Sequence, residues 1–310
     1  MENTRAKTTR NSLILLLTAT IWGMAFVSQS KGMDYMHPFT FNGVRSLIGA
    51  AGILLYILIS RKIAGDKAAK LDWKLNVKAG LLCGIFLTIA STLQQFGIKY
   101  TSVGKAGFIT TLYIIFVPMF GIFLKKKVAP VVWAAAGMAA VGMYLLCMTE
   151  SLRLGAGDIM VFLCAIAFAI QIMTVDHYAA RIDGAVVSCI QFTVCGVVCC
   201  IGALIWGQPT FGQLQEGMGA LLYAGVLSCG VGYTLQIVGQ KGLNPTVAAL
   251  IMSLESVIAT ISGWIAYKIG FLTTDQTLIA RQIAGCVIVF AAVILVQLPP
   301  EWFRFGKKNA

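Results

Sequence analysis

One carboxylate of this chain lies deep inside a long apolar segment. Glu255 is about twelve residues from Leu243, where the segment begins, so at 1.5 Å per residue it lies about 18 Å into a hydrocarbon layer of about 30 Å. An ionisable side chain is costly at that depth and is therefore a candidate functional group. We predict that Glu255 binds an amine or exchanges a proton. Two structural alternatives stay open, an ion pair with Arg45 and a neutral, hydrogen-bonded acid.

Arg45 and several uncharged side chains are further candidates for ligand binding. Arg45 lies about 10 Å from the end of its apolar segment, where it can hold a carboxylate, extend toward the membrane surface or form an internal pair. If the halves are inverted, Gln94 falls near the outer surface of the membrane and Gln236 near the inner surface, which suits either two gates or interhelical hydrogen bonds. Gln95 and Trp22 complete this polar and aromatic set, and packing is the alternative role for Trp22.

The chain lacks the residue groups that catalytic and metal centres require. It has two histidines, His37 and His177, both near the ends of apolar segments, and no Gly-x-x-x-x-Gly-Lys-Ser/Thr sequence for nucleotide phosphates. All nine cysteines fall inside apolar segments, where thiols usually behave as small apolar side chains. We therefore expect no enzyme activity, no metal site and no cofactor.

Ten apolar stretches make up almost the whole chain and must position these residues. Hydrophobic residues form 58% of the chain and charged residues 12%, and the mean hydropathy is +0.83. About 20 apolar residues cross a bilayer as a helix, whereas isolated strands would leave backbone groups unpaired in lipid. The sequence predicts an all-α integral membrane protein with ten transmembrane helices at 11–30, 38–60, 76–98, 103–124, 129–148, 156–175, 184–206, 217–239, 243–268 and 278–298.

The distribution of Lys and Arg predicts the orientation. With a cytoplasmic N-terminus, the cytoplasmic side holds 17 of the 24 basic residues, including a basic tail at 299–310. These are Arg5, Lys7, Arg10, Arg61, Lys62, Lys67, Lys70, Lys74, Lys78, Lys125, Lys126, Lys127, Arg181, Lys241, Arg304, Lys307 and Lys308. We therefore expect a multi-pass protein of the cytoplasmic membrane with both termini in the cytoplasm. This bias and contact with anionic lipid explain the net charge of +12 without nucleic acid.

The two halves of the chain repeat each other. A shift of 142 residues superposes 92–121 on 234–263 without a gap, with nine identities in thirty positions that include Gln, Lys and Gly. The sequence predicts five-helix domains at 11–148 and 154–298. Because five is odd, the second half crosses the membrane in the opposite sense, as in the inverted repeats of secondary transporters.

The same shift places Tyr113 at the position of Glu255. Each lies on a helical stripe of equal spacing, together with Thr110 in the first half and Met252 in the second. A stripe of small, aromatic and polar side chains suits a cavity wall, and helix packing through small residues is the alternative. We predict that all four side chains contribute to one binding site.

Three short motifs resemble those of the drug/metabolite transporter superfamily, specifically its ten-helix type with two EamA domains. They are the Trp-Gly sequence within 21–26, the Pro38-Phe39 pair with Arg45 seven residues later, and Ser-Leu-Glu-Ser-Val at 253–257, which resembles a Leu-Glu-Pro-Val motif. Ser256 stands where that motif has proline, whereas Pro118 predicts a kink in the fourth span. The resemblance covers about residues 11–298.

This resemblance implies a secondary transporter that moves a small organic metabolite by alternating access, most often exporting an amino acid or a related solute. The expected partners are that solute, the lipid bilayer and, if Glu255 titrates, protons; the oligomeric state stays open. One alternative is proton-coupled efflux of lipophilic cations, which would also use an intramembrane carboxylate. Another is a membrane interaction protein of the same fold that transports nothing.

Overall fold

The computed structural model describes residues 2–65, 71–125, 129–147, 155–273 and 275–297, and every regular element among them is helical. The membrane helices are α1 Glu2–Gly32, α2 Pro38–Ala64, α3 Trp73–Ile98, α4 Val103–Phe123, α5 Pro130–Cys147, α6 Ala156–Tyr178, α7 Gly184–Gly207, α8 Met218–Gly239, α9 Pro245–Lys268 and α10 Ala280–Gln297. A short helix, Phe211–Glu216, joins α7 to α8. The predicted basic tail and the junction between the predicted domains lie outside the described residues.

Eight of these helices are long and apolar enough to cross a membrane. The other two, α5 and α10, have 18 residues each, which is about 27 Å of helix and close to the hydrocarbon thickness. Their apolar parts are Pro130–Gly142 and Ala280–Leu295. The prediction of an all-α membrane protein with ten transmembrane helices is confirmed.

Polar residues just outside the apolar runs fix where the helices begin. The Ser102, Asp183 and Asn244 side chains accept hydrogen bonds from backbone N–H groups in the first turns of α4, α7 and α9. Pro38 and Pro245 occupy first-turn positions, where a missing N–H costs nothing. Caps of this kind fix the residue at which each of these helices begins.

The two halves interlock rather than lie side by side. Helix α1 packs on α8 and α9, and its counterpart α6 packs on α3 and α4. Helix α2 packs on α7, and α5 packs on α10. Exchanging the halves leaves this pattern unchanged, so the fold consists of two inverted five-helix repeats, as the sequence predicts.

Helices α4 and α9 are broken at equivalent points near their centres. The segments of α4 are Val103–Thr111 and Tyr113–Phe123, and those of α9 are Pro245–Met252 and Glu255–Lys268. The N–H of Leu112 bonds to the carbonyl of Ile109 at 3.2 Å, and that of Leu254 bonds to the carbonyl of Ile251 at 3.3 Å. These tighter i to i−3 bonds replace the helical pattern at both breaks.

Hydroxyl groups explain the break in α9, which contains no proline after its first residue. The Ser253 Oγ donates to the carbonyl of Leu250 at 2.7 Å, and the Ser256 Oγ donates to the carbonyl of Ser253 at 2.8 Å. Such bonds compete with the helical ladder and bend helices. In α4 the break is at Leu112, six residues before Pro118, so the proline does not mark its position.

Helix α8 has a different irregularity, a π-helical stretch over Tyr223–Gly232. A second π-helical turn, Ala203–Gly207, ends α7. Widened turns of this kind are uncommon and occur often at functional sites. The stretch in α8 lies between the centre of the bundle and the surface of α2.

Gly97 allows α3 to approach α6 closely, and it gives a test of the interlocked fold. A Cβ at Gly97 would lie 2.8 Å from the carbonyl oxygen of Gly157, whereas a Cβ at Gly137 in α5 meets nothing within 4 Å. We expect Gly97→Ala to cost about 1–3 kcal/mol through overpacking. Gly137→Ala should be neutral or stabilise by up to about 1 kcal/mol, because alanine favours a helix. Melting temperatures in detergent would measure both, and equal values would contradict the packing of α3 on α6.

Candidate functional site

A small cavity lies at the centre of the bundle, between the two halves. Its volume is about 30 Å³, enough for a few water molecules. Its walls come from α1–α4 and α6–α9. The lining residues are Trp22, Phe26, Gln29, Asn42, Arg45, Leu87, Ser91, Gln94, Thr110, Tyr113, Phe168, Gln171, Ile172, Phe192, Ser228, Cys229, Tyr233, Gln236 and Glu255. A metabolite can enter only if the walls separate.

Seven of the nine residues predicted for binding or gating lie on this one wall: Glu255, Tyr113, Trp22, Thr110, Arg45, Gln94 and Gln236. They come from six helices and from both halves of the chain. The structure therefore brings together residues that are far apart in sequence.

The other two predicted residues are not on the wall. Met252 is fully buried in the main apolar core, where its thioether needs no polar partner. Its counterpart Thr110 is held on the wall because its Oγ1 accepts from the Gln94 Nε2 at 3.2 Å. Gln95 faces α1 instead, and its Nε2 donates to the backbone carbonyl of Gln29 at 3.2 Å. Gln95 thus joins two helices.

Glu255 is buried, with 4% of its surface exposed, and it has one neutral partner. The Tyr113 Oη donates to its Oε1 at 3.0 Å. Both residues are the first of their half-helix after the break, and the 142-residue shift equates them. A carboxylate can accept about four hydrogen bonds, so most of the capacity of Glu255 remains free for a ligand.

Arg45 is equally buried, at 5% exposed, and it too has a neutral partner. Its Nε and Nη2 donate to the Asn42 Oδ1 at 3.0 and 2.8 Å. The Asn42 Nδ2 in turn donates to the Ser91 Oγ at 3.0 Å and to the Cys199 Sγ at 3.3 Å. This chain of hydrogen bonds fixes the guanidinium on the wall, where its Nη1 has no partner within the described residues.

Arg45 and Glu255 do not pair with each other, so the predicted alternative of an ion pair between them is wrong for this conformation. The ion pairs among the described residues are Lys31 with Asp34 and Lys105 with Asp158. One cavity therefore presents a guanidinium and a carboxylate, each hydrogen-bonded only to an uncharged side chain. A buried charge without an opposite charge is costly, and no ion pair among the described residues compensates either side chain.

The remaining wall is aromatic and amide-lined. The Trp22 and Tyr233 rings are 4.5 Å apart, and Phe192 meets Tyr233 edge to face at 5.0 Å. The Gln236 Nε2 donates to the Gln171 Oε1 at 3.2 Å. Within the described residues the Gln29 Oε1 and the Trp22 Nε1 have no hydrogen-bond partner, so both can serve a ligand.

Polar contacts close both ends of the bundle. At one end, the Lys105 Nζ lies 2.6 Å from the Asp158 Oδ2, and the Thr101 Oγ1 donates to the other oxygen of that carboxylate at 2.9 Å. At the opposite end, the Asn11 Nδ2 donates to the carbonyl of Lys241 at 2.7 Å, and the Lys241 Nζ donates to the carbonyl of Ile182. These contacts hold neighbouring helices together at the two ends of the bundle.

Two symmetric pairs on the wall were not predicted. They are Phe26 with Phe168 and Gln29 with Gln171, each separated by 142 residues. The shift that aligns the later helices therefore also aligns α1 with α6. The Ala-Phe-x-x-Gln sequence that occurs at both 25–29 and 167–171 is the signal in the sequence from which this register could have been found.

Comparison with known proteins places most of the chain in one family. The model of the EamA-like transporter family matches residues 10–148 and 155–298. A protein from Archaeoglobus fulgidus described as an uncharacterized transporter is 27% identical over 92% of this chain and 84% of its own length. The Bacillus subtilis (strain 168) "Uncharacterized transporter YwfM" is 26% identical over 91% and 94%. A solved structure described as "Crystal structure of protein" has a TM-score of 0.73 at 16% identity and covers 96% of this chain and 99% of its own, which shows the fold alone.

Asn42 should be required to keep the Arg45 guanidinium stable inside the bundle. Asn42→Ala removes both hydrogen bonds of that charge, and bonds to charged groups contribute about 1.5–3 kcal/mol each. We expect the melting temperature to fall by several degrees. Asn42→Asp is the matched control, because it keeps the acceptor oxygen and adds an opposite charge. If Asn42→Ala melts with the wild type, Arg45 has another partner that supports it.

Proposed function

We propose that this chain, which belongs to the EamA-like transporter family, carries a small zwitterion of the amino-acid type across the cytoplasmic membrane by alternating access. The family and its relatives make the chain a membrane transporter. The proposal of substrate class is supported by one observation above all. Arg45 and Glu255 line the same buried cavity, and no ion pair joins them.

An amino acid would supply the missing charge to each side chain. Its carboxylate would bind the free N–H groups of Arg45, and its ammonium group would bind the free lone pairs of Glu255. Both charges of the wall and both charges of the solute would then be compensated inside the membrane. A solute with only one charge would leave either Arg45 or Glu255 unpaired. The resulting loss of binding free energy would make the site specific for solutes that carry both charges.

The neutral residues would orient the solute. Tyr113 holds the Glu255 carboxylate by its hydroxyl, and Asn42 holds the guanidinium of Arg45. The rings of Trp22, Phe192 and Tyr233 offer an apolar surface for the side chain of the solute. We therefore favour amino acids with apolar or aromatic side chains.

The symmetric design supports alternating access. The halves interlock through equivalent contacts, so the separation of one end can be mirrored by separation of the other. Gln94 and Gln236 lie near the C-terminal ends of α3 and α8, which would face opposite sides of the membrane in an inverted repeat, and they border the cavity, where they can act as gates. The contact of Lys105 with Asp158 would have to break for the cavity to open at that end.

The direction, orientation and domain limits are further parts of the proposal. Export is proposed on the resemblance of the motifs to those of exporting members of the family. The charge distribution supports cytoplasmic termini, and the repeat supports five-helix domains at 11–148 and 154–298. Whether protons accompany the solute depends on whether Glu255 is protonated when the site is empty.

Efflux of lipophilic cations is a second candidate, because aromatic rings surround a buried carboxylate. Rings of Trp22, Phe192 and Tyr233 could contact a cation by their faces. Arg45 opposes this reading, since a buried guanidinium on the same wall repels a cationic solute.

Analogues that lack one charge should separate the roles of Arg45 and Glu255. We expect leucine or phenylalanine to stabilise the detergent-purified protein against heating, by about 2.7 kcal/mol at a hundred times the Kd. The methyl esters lack the carboxylate and the N-acetyl forms lack the ammonium group, so each should bind at least tenfold more weakly. Arg45→Gln should remove the preference for the amino acid over its ester. Glu255→Gln should remove the preference over the N-acetyl form.

Gln95→Ala is the control variant, because Gln95 lies next to Gln94 but off the wall, and it should keep both preferences. Counterflow of labelled amino acid in proteoliposomes would show that the stabilising ligand is also carried. Stronger stabilisation by tetraphenylphosphonium or by the esters would favour the cation candidate. If Arg45→Gln and Glu255→Gln both keep the wild-type ligand preferences, the central cavity is not the binding site.

The orientation can be tested with truncated fusions. We expect alkaline phosphatase to be active when it is fused after Lys99 and inactive when it is fused after Lys125, because the enzyme folds only outside the cytoplasm. Green fluorescent protein fused at the same two points should give the opposite pattern. The reverse result for both reporters would place the termini outside.

A further inference from the structure

A groove and a pocket on the outer surface of the bundle join into one continuous site. The groove lies between α2 and α8 and has a volume of about 430 Å³; the pocket lies at the end of α2 and has about 650 Å³. Tyr56, Thr234 and Val238 line both, so the two spaces meet. Neither space includes a residue that lines the central cavity.

The groove is apolar and faces the membrane. Val226 is 44% exposed and Val231 is 40% exposed, and a Cβ at Gly52 would meet nothing within 4 Å. The π-helical stretch of α8 forms its floor, since Val226, Gly230 and Val231 line the groove while Ser228 and Cys229 line the central cavity. The missing side chain at Gly52 leaves room along α2 for an extended apolar chain.

The pocket is basic and polar. Three cations line it, Arg61, Arg181 and Lys241, against two carboxylates, Asp72 and Asp183. Each carboxylate already caps a helix, because the Asp72 Oδ1 accepts from the N–H of Leu75 at 3.0 Å and the Asp183 Oδ1 accepts from the N–H of Ala185 at 2.9 Å. No ion pair among the described residues involves these three cations. The pocket therefore keeps an excess of positive charge for an anion.

We propose that this site binds an anionic glycerophospholipid, with its phosphate among Arg61, Arg181 and Lys241 and one acyl chain in the groove between α2 and α8. Gly49 and Arg61 mark the two ends of the site and lie about 18 Å apart along α2 at 1.5 Å per residue. One leaflet contributes about half of a 30 Å hydrocarbon core, so the site has the depth of one leaflet.

A lipid fits better than a soluble phosphate, because the basic pocket opens into an apolar groove instead of ending in polar walls. Basic pockets at the cytoplasmic ends of membrane helices bind anionic headgroups by charge attraction. The orientation proposed above puts Arg61, Arg181 and Lys241 at that surface. A phospholipid and a soluble phosphate both carry a phosphate group, but only the phospholipid has an acyl chain that can occupy the groove.

The test compares three probes on the full chain in detergent after removal of native lipid. Phosphatidylglycerol and phosphatidylcholine with the same chains differ in net charge, and glycerol 3-phosphate has a phosphate without chains. Native mass spectrometry should show phosphatidylglycerol bound at least tenfold more tightly than phosphatidylcholine. Glycerol 3-phosphate should not compete at the same concentration. Equal binding of the two lipids, or competition by glycerol 3-phosphate at lipid concentrations, would overturn the proposal.

Two variants with matched controls locate the site. Arg61→Gln with Arg181→Gln should reduce the preference for phosphatidylglycerol to within twofold, whereas Lys74→Gln with Lys78→Gln, which removes two exposed charges outside the pocket, should keep it. Gly52→Leu should weaken phosphatidylglycerol binding about tenfold by filling the groove. Gly137→Leu adds the same side chain on α5, where a Cβ also meets open space, and should bind normally. Normal binding by Gly52→Leu, or an equal loss in either control, would place the lipid elsewhere.

Discussion

The interior of this protein is organised around two ionisable side chains that a membrane disfavours. Arg45 and Glu255 are both nearly inaccessible, and each is supported only by uncharged groups, Asn42 and Tyr113. Such groups hold a charge in position without neutralising it. Burying Arg45 and Glu255 costs free energy, which the packing of the interlocked helices must offset. Removing the partner of a buried charge destabilises a protein strongly. The close contact of α3 with α6 and the short polar contacts at both ends of the bundle provide that stability.

Symmetry explains why the carboxylate meets a tyrosine. The 142-residue repeat equates Tyr113 with Glu255, and their side chains meet at the interface of the halves. A residue close to a pseudo-twofold axis contacts its own counterpart, so two carboxylates at this position would repel each other. A tyrosine in one copy instead gives a hydrogen-bond donor for the carboxyl group of the other copy. The equivalent breaks at Leu112 and Leu254 start a new half-helix at each of these residues, which brings both to the centre.

The helices and the repeat could be predicted from the sequence, because they follow from apolar length and from a register of identical residues, and so could seven of the nineteen residues on the cavity wall. The sequence did not separate Gln94 from Gln95, since neighbours on a helix differ by about 100° and both faces are buried. It placed Met252 on the wall because the repeat equates it with Thr110, but only Thr110 has a hydrogen bond that holds it there. The absence of an ion pair between Arg45 and Glu255 also depends on helix packing. No local pattern encodes the distance between side chains on α2 and α9.

Helix α8 lines both the central cavity and the groove between α2 and α8. Its π-helical stretch, Tyr223–Gly232, carries Ser228 and Cys229 on the cavity side and Val226 and Val231 on the groove side. A Cβ at Gly232 would lie 2.6 Å from the Trp22 Nε1, so α1 and α8 touch at this point with no space for a side chain. A π-helical turn can relax to an α-helical turn by a shift of one residue, which would move both surfaces of α8 together. An acyl chain that packs against Val226 and Val231 would therefore contact the segment of α8 that also lines the cavity next to Trp22. If the proposed lipid binds between α2 and α8, it contacts the same helix that lines the central cavity.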